Sequence, residues 1–210
     1  MALVAVFCLS AITASGALAG TKKGEIVNKS GNAPVKSKFT GSSTATGSLE
    51  TAGGSKVECT GSTAVSGQIQ SKTMGTATFK FTACESGGNK CKTSGAATGE
   101  IVVSPEVLVQ IVKLQVYVLT IVPLFDIKCS TTDVKVKGGV LVGITPEETL
   151  TTKGEFAAKG KLGKQEPENS EGKGENTEHL QAEFPGKAFE NASLNAPELT
   201  VTFEEEVEAI

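Results

Sequence analysis

Arginine and tryptophan are missing from this sequence altogether, and histidine and tyrosine occur once each, as His179 and Tyr117. All 20 basic residues are therefore lysines, set against 23 acidic residues of which only Asp126 and Asp133 are aspartates, for a formal net charge of -3. A nearly neutral chain without the planar guanidinium fork has neither the long-range field nor the bidentate donors that phosphate and base-edge recognition favour. Nucleic acid is excluded as an expected partner. A single histidine makes the zinc motif H-E-x-x-H impossible and leaves any Ser-His-Asp arrangement dependent on His179. No serine stands in G-x-S-x-G, and no segment matches the phosphate loop G-x-x-x-x-G-K-[ST]. Glutamate is so plentiful that some pair always lies at glycosidase spacing, and without tryptophan the usual sugar platform is lacking, so the carboxylates alone do not point to glycoside hydrolysis. The expected protein is not an enzyme, with no catalytic residue, cofactor or metal site to name.

Residues 2 to 19, ALVAVFCLSAITASGALA, are uncharged and mostly apolar, and they close on Ala17-Leu18-Ala19 before Gly20. Small residues at those two positions are what a signal peptidase inspects, so residues 1–19 read as a signal peptide and the protein as secreted. The positively charged start of such a signal is missing, which implies an atypical signal or a chain start placed too far downstream. Removal of this segment takes Cys8 with it and leaves no integral membrane span. Cys59, Cys84, Cys91 and Cys129 remain, an even number in an exported chain, and no two of them are spaced C-x-x-C. Two disulfides are the expectation, and a thiol redox motif or zinc knuckle is not.

The rest of the chain, residues 20–210, reads as a single all-β domain, an antiparallel β-sandwich or a partly closed β-barrel. Thr, Val and Ile are abundant, 24 glycines punctuate short apolar stretches, and no stretch holds a helical apolar period over three turns. Thr76 to Ala83 alternates cleanly, with Ala77, Phe79, Phe81 and Ala83 on one face. A hairpin closed near Ser71 to Met74 would set Val65 opposite Phe79. Shorter strands are expected at Leu49 to Glu50, Lys56 to Thr60 and Gly99 to Val103. Val107 to Val122 is the most apolar segment of the mature chain, but Gln110, Lys113 and Gln115 argue against a bilayer span. Its alternation reads as one long core strand, bent by bulges where parity changes after Ile111 and after Val118. Two pieces around Gly138-Gly139, a strand from Thr149 to Lys159 anchored by Phe156, and a closing strand at Leu199 to Phe203 complete the set.

Between Gly160 and Glu178 the composition changes to a polar stretch with Leu162 as its single large apolar residue. A solvated loop at 160–178 is expected, because such a segment buries too little surface to order itself. Its glutamates, Glu166, Glu168, Glu171, Glu175 and Glu178, lack the D-x-[DN]-x-[DN]-G spacing that converges oxygens on calcium. His179, at its edge, reads as an idle exposed imidazole, and Asp126 and Asp133 as exposed strand and turn residues.

Four cysteines allow three connectivities. Face parity places Cys59 with Val57, and Cys129 with Phe125 and Ile127, on the apolar sides of their strands, while Cys84 falls on the polar parity and Cys91 follows the turn-rich ESGGNK. That favours Cys59 with Cys129, bridging two layers, and Cys84 with Cys91. The rival pairing of Cys59 with Cys84 stays open, since it needs only a bulge to bring the two onto one face.

At KVECTGSTAVSGQI, GTATFKFTACES, CKTSGAATGEIVV and KGKLGKQEPENSEG the chain resembles an uncharacterised family of exported bacterial proteins. The resemblance implies a secreted, disulfide-containing, β-rich domain and carries no catalytic or binding residue. The expected function is a non-enzymatic structural or interaction module with an unknown extracellular or cell-envelope partner. The alternative is an extracellular carrier of a small apolar ligand, with Val107 to Val122 helping to line a β-barrel cavity.

Overall fold

A computed structural model describes residues 24–112, 115–130, 132–166 and 179–210; residues 1–23, with the expected signal peptide and Cys8, and residues 167–178 of the polar stretch lie outside the described residues. The described chain is all-β. Its strands are β1 (Ile26–Asn28), β2 (Lys38–Ser43), β3 (Gly47–Thr51), β4 (Lys56–Cys59), β5 (Thr63–Ile69), β6 (Met74–Phe81), β7 (Cys84–Ser86), β8 (Asn89–Thr93), β9 (Ile101–Val103), β10 (Glu106–Val112), β11 (Gln115–Cys129), β12 (Thr132–Thr145), β13 (Thr151–Lys161), β14 (Lys164–Glu166), β15 (Gln181–Glu183) and β16 (Glu190–Ala209).

All of them belong to one antiparallel sheet that closes on itself twice. The first circuit runs β12, β13, β16, β2, β5, β6, β10, β11 and back to β12. The second runs β12, β15, β16, β3, β4, β7, β8, β11 and back to β12. Each contains eight strands by that count, and an even number is what an antiparallel sheet needs to close without a parallel seam. Closure removes the free edges along which open sheets aggregate. Three strands serve both circuits because they are long: β11 has 15 residues, β12 has 14 and β16 has 20. The waist between the circuits falls where β11 and β12 lose register between Val122 and Phe125, at Pro123-Leu124. Opposite it, Gly138 adopts a φ of 101° inside β12. A Cβ there would overlap the carbonyl oxygen of His179, where the chain returns to the sheet, so only glycine fits.

The first circuit is filled by aromatic side chains. Phe39, Phe156 and Phe203 are buried with ring centroids 5.8 to 6.5 Å apart in tilted and edge-on arrangements. Phe39 stands opposite Gly67 in register, and a Cβ at Gly67 would run into the Phe39 ring, so the glycine provides the space the ring occupies. We refer to this circuit as the phenylalanine end.

The second circuit carries both disulfides, and they correct the pairing favoured by parity. Cys59 is bonded to Cys84 and Cys91 to Cys129, each between directly opposed residues of neighbouring strands, with Cα–Cα distances of 3.9 and 4.0 Å. Neither bridge crosses between layers. The parity argument failed at Ala83. The expected register of Val65 opposite Phe79 is present, but β6 ends at Phe81 and Ala83 takes a positive φ of 52°. That left-handed residue is exposed and reverses the face on which the next side chain lands, so Cys84 is fully buried against Cys59. The β7–β8 turn, Gly87-Gly88 with φ of 55° and 79°, then returns the chain as a tight hairpin that carries Cys91 across to Cys129. Bridges of this kind belong to oxidising compartments.

Two further expectations change. Val107 to Val122 is not one bulged strand but a hairpin, β10 paired with β11 from Glu106 opposite Ile121 to Val112 opposite Gln115. The parity change after Ile111 reflects the register of that pairing, in which odd-numbered Val107 and Val109 stand opposite even-numbered Thr120 and Val118. Leu119 is as buried as Val118 because both faces of β11 are covered there, and the actual bulge comes later, at Pro123-Leu124. The polar stretch does not begin as a loop: β13 continues to Lys161 and turns through Leu162-Gly163, both at positive φ, into β14. No helix among the described residues is long and apolar enough to cross a membrane.

Candidate functional site

The second circuit, here the cystine end, encloses more free space than the phenylalanine end, where only a small void remains. A cavity of about 100 Å³ lies at the waist and extends into the cystine end. Its wall is assembled from inward positions of strands distant in sequence: Leu49 of β3, Val57 of β4, Phe79 and Phe81 of β6, Phe125 and Ile127 of β11, Val136 and Val140 of β12, and Leu194 of β16. Strand alternation explains the composition, since every second residue of each strand faces the interior and most of those lining the cavity are Val, Ile, Leu or Phe. Seven large apolar residues are only partly buried against the core, namely Leu49, Phe79, Phe81, Val103, Val122, Phe125 and Leu194. All seven line this cavity. The void is therefore bordered by an apolar rim that solvent reaches. Part of that rim borders a break in the wall: β10 pairs with β11 up to Ile121 and β8 takes over only at Ile127. Leu124 projects from the break and is 61 % exposed.

A second, smaller void of about 30 Å³ lies toward the phenylalanine end, among Ile26, Val107, Val109 and Val118. Phe79, Thr120, Val142 and Phe156 line both voids and form the partition between them. Thr120 is the exception in this partition. It occupies an inward position of β11 between Val118 and Val122, opposite Val107 and Val140. It is 5 % exposed, and its hydroxyl has no hydrogen-bond partner. A buried hydroxyl left without a partner costs about 1 to 3 kcal/mol, and the surrounding Val and Phe side chains offer none. Thr93 shows the contrast. Its hydroxyl, also buried, donates to the Val102 carbonyl at 3.1 Å and accepts from the Val102 N–H at 2.9 Å, joining β8 to β9.

The remaining sequence candidates do not converge. Asp126 and Asp133 are exposed on the outer wall of the cystine end, opposite Lys135 and Lys128 in register. Lys135 also donates to Glu183 at 3.0 Å. That hydrogen bond, its Coulombic attraction, and the nearby Asp126 and Asp133 hold the Lys135 amine above its ordinary pKa. His179 is half-buried and makes a single bridge to Gly139. Glu166 is exposed on β14, and Glu168, Glu171, Glu175 and Glu178 lie outside the described residues. A further cleft of about 200 Å³ has Glu147, Glu155, Lys159, Glu166 and Glu198 among its lining residues. Glu147 is committed there to the Val116 N–H at 3.0 Å. Among the described residues no three His, Cys, Asp or Glu side chains are placed to hold a metal ion.

Of the segment expected to line a cavity, Val107, Val109, Val118, Thr120 and Val122 do so. Thr120 itself was not singled out from sequence, although its signal is present: a hydroxyl at an even position in the run Val116, Val118, Thr120, Val122, where every neighbour on that face is valine. Phe79, Phe81 and Phe125 were legible as inward residues but not as a rim. The fold and site together define a doubly closed β-barrel with an apolar interior void. No protein-family model matches the chain, and neither a curated protein nor a solved structure is similar to it.

Proposed function

We propose that this protein is a non-enzymatic, secreted carrier of a small apolar molecule held at the waist of the barrel. The observation that supports this reading is the apolar cavity with its solvent-reached rim, since apolar voids within β-barrels are where such proteins enclose ligands. Export is supported by the oxidation of all four described cysteines and by the apolar segment ahead of them. Native mass spectrometry of protein purified without detergent or organic solvent should retain an apolar adduct, and a panel of small hydrophobic molecules should raise the melting temperature. Absence of an adduct together with no thermal shift across the panel would reject the carrier.

The alternative is a structural or interaction module. The observation favouring it is the apolar edge at the break in the wall, where Leu124 is exposed next to the partly buried Val122 and Phe125. In that case Leu124→Ser abolishes partner capture while small-molecule shifts remain absent.

A further inference from the structure

We infer that the bound molecule passes into the larger void through the interrupted ladder between β9 and β11, a slot with Leu124 as its outer lip. The inference rests on the carrier reading and adds the route to the site. Seven apolar side chains border both the void and solvent, and the strands that carry them differ in their neighbours. Leu49 is paired on both sides, with Val57 and with Leu194. Phe79 and Phe81 are paired on both sides as well, with β5 and with β9. Leu194 has Leu49 on one side, and on the other the Gln165 side chain donates to its carbonyl at 3.0 Å and accepts from its N–H at 2.9 Å. Val103, Val122 and Phe125 have a strand partner on one side only: Val103 faces Phe79 of β6, and Val122 and Phe125 face Gly138 and Val136 of β12. Their unpaired sides border one gap, between the last pair of β10, Glu106 with Ile121, and the nearest pair of β8, Thr93 with Ile127.

The gap is built by the sequence. Continuing the register of β10 and β11 would set Pro105 opposite Val122 and Ser104 opposite Pro123, and neither proline has an N–H to give to a ladder. The Pro105 carbonyl is turned the other way and accepts from the Ala77 N–H of β6 at 3.3 Å. At Pro123-Leu124 β11 also loses register with β12, and a bulge of that kind bends its strand. At the far end of the gap the Thr93 hydroxyl, bonded to both backbone groups of Val102, holds β9 beside β8. Among the described pairings, widening the slot therefore breaks no ladder hydrogen bond. Parting paired strands elsewhere in the wall breaks several, at a net cost of about 0.5 to 1.5 kcal/mol each. The slot is where the wall opens most easily. Behind it Val103, Pro105, Val122, Phe125 and Ile127 line the void, while Leu124 stands outside the lining and is 61 % exposed.

Xenon is the probe, since apolar cavities of roughly 150 Å³ take up xenon or benzene and the void here, at about 100 Å³, suits the smaller of the two. Dissolved under pressure with the oxidised full chain, it should shift the methyl signals of Val122, Val136 and Val140, which line the void. Relaxation dispersion on those methyls gives the exchange rates, and titration gives the affinity. Leu124→Trp adds bulk at the lip without entering the lining, so entry and exit should both slow about tenfold while the affinity stays the same. Leu124→Gly should speed both. Thr46→Trp, exposed at the corner between β2 and β3 beside the lining residue Gly47, should change neither rate. Unchanged rates in both Leu124 variants, or slower exchange in Thr46→Trp, overturns the route and leaves the carrier reading intact. So does a Leu124→Trp effect confined to the exit rate, which would place Leu124 in the binding site itself. Wild-type methyls that do not respond to xenon overturn the carrier reading together with the route.

Discussion

The two ends of the barrel solve the problem of closing a sheet in opposite ways. The phenylalanine end is walled by strands of six to eleven residues in β2, β5, β6, β10 and β13 and is packed inside by Phe39, Phe156 and Phe203. Long ladders and an interior left with only a small void hold it, and no disulfide is present in it among the described residues. The cystine end is walled by strands of three to five residues in β3, β4, β7, β8 and β15 and encloses much of the void. Short ladders round a hollow interior forgo both ladder hydrogen bonds and dispersion contacts, and this is the end that carries two covalent bridges. The difference teaches that an interior void in a small barrel is compatible with a fixed shape when the wall, and not the filling, supplies the constraint.

The largest expected effect breaks the filled end. Phe39→Ala should lower unfolding stability by about 3 to 5 kcal/mol, the usual range for truncating a buried phenylalanine. Phe81→Ala, at the partly buried rim of the void, should cost less, about 2 kcal/mol, because one side of the ring already faces the void. Urea denaturation of both variants measures the gap, and equal losses would mean that the two ends are packed alike. Next in size come the bridges. Separations of 25 and 38 residues correspond to about 3.5 and 4 kcal/mol by loop-closure entropy. Reduction, or the paired replacement of Cys59 and Cys84 by Ala, should therefore loosen the cystine end first. Hydrogen exchange should then show β4, β7 and β8 losing protection while β2, β5 and β6 keep theirs. Peptide mapping under non-reducing conditions gives the connectivity directly.

Smaller still is the effect on the partition between the ends. Thr120→Val replaces a buried unpartnered hydroxyl by a methyl of the same shape, so the protein should gain about 1 kcal/mol of stability. A loss would mean that the hydroxyl finds a hydrogen-bond partner in solution.

The comparison also explains what the sequence made legible. The all-β class, the Val65 to Phe79 register and the inward faces of Phe79, Ile127 and Phe156 follow from period-two alternation, which is a local property of each strand. The disulfides did not follow, because parity was carried past Ala83, and one residue at positive φ is enough to reverse it. The pairing of β10 with β11 was hidden by the same arithmetic, since an antiparallel register that sets odd positions against even ones and a bulge both read as a parity shift of one. The void was illegible for a different reason. Its wall draws on strands from β3 to β16, and whether inward side chains meet or leave a gap depends on their summed volumes across the barrel, which no single strand encodes.

The last and smallest effect asks whether charge on the outer wall assists the bridges at the cystine end. Lys135 of β12 donates to Glu183 of β15 at 3.0 Å and faces Asp126 of β11 across the ladder, so one amine joins three neighbouring strands. Its pKa is raised in the folded protein, first by the Glu183 hydrogen bond and then by the Coulombic pull of Glu183, with Asp126 and Asp133 adding to it. A raised amine pKa means that the folded state holds the proton more tightly than the unfolded chain. The contribution is therefore complete below the unfolded value, about 10.4 for lysine, and disappears as pH rises through the higher folded value. The group is solvent-exposed, so the effect is small and screened by salt. Comparing wild type with Lys135→Met by urea denaturation at low ionic strength should give a modest stability difference at pH 8 that closes once pH has risen past the raised pKa of the folded-state amine. A difference that persists unchanged into strong base would assign the role of Lys135 to packing of its aliphatic stem across β11 and β15 and not to its charge.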